Sequence, residues 1–164
     1  MNYYEWQTID ASFTVRFDKS TLEELAEYRQ TIKGNEPESL GILVGEVWEN
    51  AFWVRYATKP NNYDKLSRFL CERTEESAKT NYQILKFLNI KSGNRWHYLG
   101  EWHTHPQTLP SPSTQDYMGW SLLPDNTYFN RNIRLFMICS SDNHNSDWLS
   151  IQIDGIFYKL ILKI

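Results

Sequence analysis

A chain of 164 residues carrying 17 basic and 20 acidic side chains, net −3, has the size of one domain and the wrong charge balance to wrap duplex nucleic acid. Hydrophobic residues at 41% and aromatics at 15% are ample for a packed core, which excludes disorder as the main state. No apolar run approaches the roughly 20 residues of a membrane-spanning helix. The first residues, MNYYEWQTID, lack the basic and apolar regions of a secretory signal. Two cysteines, Cys71 and Cys139, are too few for a disulfide framework, so a reducing cytoplasm is the expected compartment.

Leu22, Leu25, Ala26, Tyr28 and Ile32 recur at helical intervals and predict a helix over residues 20–32, with Ser20 as N-cap and Gly34 as the stop. After a turn at residues 35–37, the apolar, β-branched run 40–47 reads as a buried strand. It turns at residues 48–50 into a second strand over residues 51–57. Leu66, Phe69, Leu70, Arg73, Ala78, Tyr82, Leu85 and Leu88 form a stripe that predicts a helix over residues 65–88, its charged face solvated. Residues 95–102 alternate as a third strand. A Pro/Ser-rich loop over 106–112 then leads into a short helix from Ser113 to about Leu123. Strands follow at 133–139 and 148–153, and residues 157–164 form a last strand or helix turn. Strands and helices alternate irregularly, so the class is α/β or α+β, a sheet flanked by helices, with no linker dividing residues 1–164.

The chemistry concentrates in Glu101-Trp102-His103-Thr104-His105-Pro106 and in Ser113-Thr114-Gln115-Asp116. Histidines two apart on a strand project to one face, so the rings of His103 and His105 can converge on one ion. Pro106 ends the strand, and the ten residues between His105 and Asp116 bring that carboxylate back at the start of the next helix. Two histidines and a carboxylate, with one position left open, are the donor set of a catalytic zinc site. By itself the Ser113…Asp116 pair is equally a helix capping box. A divalent ion lowers the pKa of water from about 15.7 to about 7, and a nearby carboxylate must take up the proton. Glu38, Glu46, Glu49 and Glu101 are all candidates, and spacing does not choose among them.

Glu38 ahead of Leu40-Gly41-Ile42-Leu43-Val44, then His103-Thr104-His105-Pro106, with seven residues between His105 and Ser113, and Asp116 after it, together resemble the JAB1/MPN/Mov34 (JAMM) metalloenzyme family. The resemblance spans residues 31–154 and implies an MPN-type, cytidine-deaminase-like mixed sheet. It implies Zn²⁺ held by His103, His105 and Asp116, with Glu38 as general base and then acid. Ser113 would donate to the oxyanion, a role worth about 2.7–4 kcal/mol for such donors. The implied activity is hydrolysis of the amide bond after the C-terminal tail of a ubiquitin-like or conjugated protein. That tail is commonly held along a sheet edge.

The short form is similar to proteases of the prokaryotic branch carried in bacterial anti-phage (CBASS) operons beside a cyclic-nucleotide synthase, which becomes the expected conjugated partner. Selectivity would then come from the chain's own loops at residues 59–65 and 125–131. A partner-binding scaffold without metal and a sulfur-carrier-processing protease are alternative roles within the same resemblance. A deaminase is disfavoured because no H-x-E and no P-C-x-x-C occur. Both cysteines read as core residues.

Overall fold

Strand alternation accounts for the first two elements, which carried no sequence assignment. Trp6 and Thr8 are buried along β1 (Tyr3–Thr8), as are Val15 and Phe17 along β2 (Thr14–Asp18). The computed structural model describes residues 1–69 and 71–164. The next helix, α1 (Lys19–Ala26), is shorter than the pattern predicts. Its N-cap is Asp18 rather than Ser20, and it stops at Glu27 well before Gly34. The chain leaves the helix because the side chains of Arg29 and Gln30 are claimed elsewhere. Arg29 makes two hydrogen bonds to Asp147, at 2.6 and 2.9 Å, and the fully buried Gln30 bonds Glu36, Arg68 and Thr104.

The hairpin of β3 (Leu40–Trp48) and β4 (Ala51–Ala57) forms as expected. The predicted helix over residues 65–88 does not. Its first part holds a two-stranded pair, β5 (Lys65–Leu66) and β6 (Cys71–Glu72), and Leu70 lies outside the described residues. The helix proper, α2 (Glu75–Lys91), begins after Thr74, whose hydroxyl accepts the Ser77 N–H at 3.2 Å. Its buried positions are Ser77 and Asn81, while Tyr82 of the expected apolar stripe is exposed. The remaining elements are β7 (Trp96–Thr104), α3 (Thr114–Ser121), β8 (Thr127–Tyr128), β9 (Arg131–Cys139), β10 (Trp148–Ile153) and β11 (Ile156–Leu162), the last a strand rather than a helix turn.

The strands make one mixed sheet in the order β10-β11-β1-β2-β4-β3-β7-β9-β8, and β9 also pairs with β10, so eight strands close into a ring. Pairs β2–β4 and β7–β9 are parallel and the rest antiparallel. One face of the sheet packs the core: Trp6, Phe17, Leu43, Phe52, Val54, Leu99, Trp102, Leu135, Met137 and Leu149, joined by Leu22 and Leu25 of α1. Ile42, Phe136, Ile138 and His103 are also buried but lie on the other face. Two glycines permit the closest strand contacts. A Cβ on Gly100 would stand 1.7 Å from the Leu135 carbonyl oxygen, and one on Gly45 would stand 1.9 Å from that of Trp53. Fold class is thus α+β, a mixed sheet with three α-helices among the described residues, none long and apolar enough to cross a membrane.

Candidate metal centre

β7 brings the two histidines to the middle of the sheet. His103 pairs with Leu40 of β3 on one side and Ile138 of β9 on the other. His105 lies just past the strand end, and its N–H continues the ladder by donating to the Cys139 carbonyl at 3.2 Å. Both are buried, and their Nε2 atoms are 3.1 Å apart. Asp116 closes the group from α3. Its Oδ1 is 3.2 Å from His103 Nε2, and its Oδ2 is 3.3 Å from His105 Nε2. One donor atom from each residue lies within 4.8 Å of the others. A tetrahedral ion with bonds of about 2.0–2.1 Å sets its ligand atoms about 3.3–3.4 Å apart. The imidazole nitrogens stand close to that spacing from each other, and each stands close to it from one of the two Asp116 oxygens.

Asp116 also caps its own helix. The Ser113 hydroxyl accepts the Asp116 N–H at 3.1 Å, and Asp116 Oδ2 accepts the Ser113 N–H at 2.8 Å. Capping box and histidine cluster therefore share one carboxylate, so the two readings of Ser113…Asp116 do not compete. Burial alone would raise the Asp116 pKa, but both imidazoles and the Ser113 N–H hold the carboxyl far below the usual range. Burial likewise opposes a charged His105, yet the hydrogen bond and charge of Asp116, with Glu38, raise its pKa. His105 Nδ1 lies 3.2 Å from Gln107 Oε1. With Nδ1–H donating there, the Nε2 lone pair faces the cluster.

Glu38 stands beside this group, its Oε1 3.7 Å from His105 Nε2. Its position follows from hydrogen bonds on both flanks. The Glu38 N–H donates to the Ser67 carbonyl at 2.6 Å, the Ser39 N–H donates to Thr104 Oγ1 at 3.0 Å, and the Thr104 N–H donates to the Ser39 carbonyl at 3.0 Å. Gln30 ties the arrangement together. It accepts from Thr104 Oγ1 at 2.9 Å and donates to the Glu36 and Arg68 carbonyls at 3.0 and 2.8 Å. Burial raises the Glu38 pKa, and the two histidines only partly offset it.

The other candidate bases are committed elsewhere or lie apart. Glu101 is held by Arg73 at 2.7 Å and by the Tyr98 hydroxyl at 2.6 Å. Glu46 pairs with Arg55, and Glu49 is exposed at the β3–β4 turn. A cleft of about 420 Å³ is lined by Glu38, Phe69, Cys71, His105, Ser113 and Asp116, among others. Cys71 is the one expectation here that fails. It is a half-buried cleft residue on β6, not a helical core residue, and its thiol hydrogen-bonds Glu38. Burial, with the Glu38 charge, pushes that thiol's pKa up, which makes it a poor nucleophile. Cys139 is buried in β9 as expected.

The family described as prokaryotic homologs of the JAB domain matches residues 19–150, which contain Glu38, both histidines, Ser113 and Asp116. The chain belongs to the prokaryotic JAB family. A CD-NTase/cGAS isopeptidase of Pseudomonas aeruginosa is 33% identical over 118 residues, 72% of this chain and 72% of that protein. A protein of the same name from Vibrio cholerae is 32% identical over 96 residues, 58% of this chain and 59% of its own length. Another from Enterobacter hormaechei is 27% identical over 146 residues, 87% of this chain and 76% of its own length. The solution structure of protein DSY2949 from Desulfitobacterium hafniense matches with a TM-score of 0.57 and 21% identity, covering 84% of this chain and 82% of that one, and shares the fold. Within this JAB domain, three supporting residues escaped the sequence reading: Gln30, Gln107 and Trp120. Gln30 was absorbed into a helical pattern, and Gln107 stands two residues past a ligand candidate in a loop with no period to read. Trp120, four residues beyond Asp116, was the one legible signal.

Proposed function

We propose that the chain is a Zn²⁺-dependent isopeptidase of the JAMM type. It hydrolyses the amide bond after the C-terminal tail of a ubiquitin-like or conjugated protein. In its cell it reverses a conjugate on a cyclic-nucleotide synthase encoded in an anti-phage operon, the substrate class that the relatives' name carries. The observation that supports this reading is the gathering of His103, His105 and Asp116, with donor atoms within 4.8 Å of one another, beside a cleft that Glu38, His105 and Asp116 line. Residues 1–164 act as one domain with an MPN-type, cytidine-deaminase-like sheet. A cytoplasmic setting agrees with two free cysteines.

His103, His105 and Asp116 hold the zinc. When bound, Zn²⁺ supplies Lewis acidity, lowering the pKa of water and polarising the scissile carbonyl. Glu38 is the carboxylate close enough to take the proton from the attacking water and return it to the leaving amine. Its burial suits both halves of that cycle, because a raised pKa lets the acid form persist closer to neutral pH. Ser113 Oγ accepts one hydrogen bond, from Asp116, which leaves its own proton free to donate to the carbonyl oxygen as that atom becomes negative. The closed ring leaves few free strand edges, and β6, carrying Cys71 into the cleft, offers one to an extended tail.

The test is cleavage of a fusion in which a ubiquitin-like tail precedes a reporter by an amide bond. Purified chain releases the reporter, a chelator stops it, and added Zn²⁺ restores it. A thiol-alkylating agent leaves turnover in place. Release that continues in chelator, or stops on alkylation alone, contradicts the reading.

A further inference from the structure

The three candidate ligands do not come from equally secure elements. His103 and His105 sit on and just past a central strand and are 6% and 7% exposed. Asp116 comes from α3, eight residues with no buried position, set between irregular stretches. An isolated helix of that length has no stability of its own in water. Among the described residues, and apart from the contacts of Asp116 with the histidines, the hydrogen bonds of residues 114–121 close within residues 113–123. Hydrogen bonding therefore does not fix the helix on the sheet.

Trp120 does. It lies four residues after Asp116, so both side chains share one helix face. Its ring stacks on Phe136 of β9, centroids 4.2 Å apart at 27°, and on Trp148 of β10 at 5.9 Å and 13°. Phe157 of β11 adds a third ring at 6.0 Å, and His103 itself a fourth at 6.1 Å. Tyr117 braces the stack edge-on, 5.5 Å from Trp120 and 5.4 Å from Phe157. Phe136 is fully buried and lies two residues before Ile138, the β9 partner of His103. The indole thus joins the helix that bears one ligand to the strand beside the other two.

We propose that Trp120 is the positioning residue of the metal centre, docking α3 so that the Asp116 carboxylate faces His103 and His105 before an ion arrives. The inference rests on the reading of those three residues as zinc ligands. A ligand already in place loses little freedom on binding, so the docking contributes directly to metal affinity.

The experiment is a zinc competition titration against a chelator of known affinity, on wild type, Trp120→Ala, Asp116→Ala and the double variant. Trp120→Ala weakens zinc binding by about 10–100-fold, the range for outer residues that orient ligands. In the Asp116→Ala background the same change has no further effect, because the group it positions is gone. Trp120→Phe, which keeps a flat ring on Phe136, retains most of the affinity. Wild-type affinity in Trp120→Ala, or the same fold-loss in both backgrounds, overturns the proposal. Should Trp120→Ala not fold, Trp148→Ala removes one stacking partner and carries the same comparison. Amide exchange of the metal-free chain reads the docking without the ion: Trp120→Ala speeds exchange across α3 while β7 stays protected, and unchanged α3 exchange overturns the proposal. A wild-type chain that binds no zinc at all, with α3 exchange responding as described, instead refutes the ligand assignment.

Discussion

Replacing Gln30 by Leu tests how the candidate base is held. Gln30 has no exposed surface, and its amide makes three hydrogen bonds, to Thr104 Oγ1, to the Glu36 carbonyl and to the Arg68 carbonyl. Leucine keeps the bulk and loses all three. At about 1 kcal/mol net for each bond, the loss is about 3 kcal/mol. That is a large share of the 5–15 kcal/mol or so by which a domain is stable. For a chain of this size it lowers Tm by about 6–12 °C. The two carbonyls are only partly buried, so water recovers some of their bonding, while the buried Thr104 hydroxyl loses its acceptor. The functional consequence is selective. Glu36 is two residues from Glu38, and Arg68 adjoins Ser67, whose carbonyl receives the Glu38 N–H. His103 and Asp116 are held by β3, β9 and α3 instead. Gln30→Leu should therefore reduce kcat while zinc affinity stays close to wild type. Thermal unfolding, chelator competition and the fusion assay measure the three quantities. A Tm within about 2 °C of wild type, or a loss of zinc affinity equal to the loss of kcat, refutes the reasoning.

Glu38→Gln leaves zinc bound and abolishes turnover, and unchanged kcat contradicts its role as base. In chelator the same variant reports burial. Because the folded pKa of Glu38 is raised, its favourable contribution is fully present below the ordinary glutamate value of about 4.3 and is lost as pH rises through the folded value. Tm of metal-free Glu38→Gln thus exceeds wild type near neutral pH, and the gain vanishes in acid. A pH-independent difference contradicts this. Asp147→Asn strands the Arg29 guanidinium against a side chain that was fully buried, and stability in urea falls by about 3–5 kcal/mol with an unchanged slope. A loss under about 1 kcal/mol places that pair among weak surface contacts. Ser113→Ala removes the α3 cap, costing about 1 kcal/mol, and lowers kcat by tens- to a thousand-fold on the oxyanion-donor scale with KM little changed.

The clustering of His103, His105 and Asp116 was legible because the three are local in sequence. His103 and His105 needed only the two-residue repeat of a strand, and Ser113…Asp116 only the offset of a helix start. The spacing of Glu38 carried no such information, since its place beside His105 depends on Ser39 meeting Thr104 across β3 and β7. Local pattern failed where long-range bonds outbid it. Residues 27–32 continue a helical stripe, yet Arg29 reaches Asp147 and Gln30 reaches Thr104. Residues 65–72 continue another, yet the backbone there turns to meet Glu38 through the Ser67 carbonyl. The N-terminal hairpin went unassigned, although Trp6 and Thr8, and Val15 and Phe17, recur at the two-residue interval of a buried strand face. Closure of the sheet by β9 and β10 was not, because pairing between strands leaves no mark in the period of either.

X-ray absorption at the zinc edge of the loaded chain tests the central claim most directly. The account predicts one ion per chain with nitrogen and oxygen neighbours at about 2.0–2.1 Å and imidazole scattering from two rings. It also predicts that the signal from one ring disappears in His103→Ala. A sulfur neighbour at about 2.3 Å, which would bring Cys71 into the coordination, or a spectrum of hydrated zinc unchanged by His103→Ala, contradicts it.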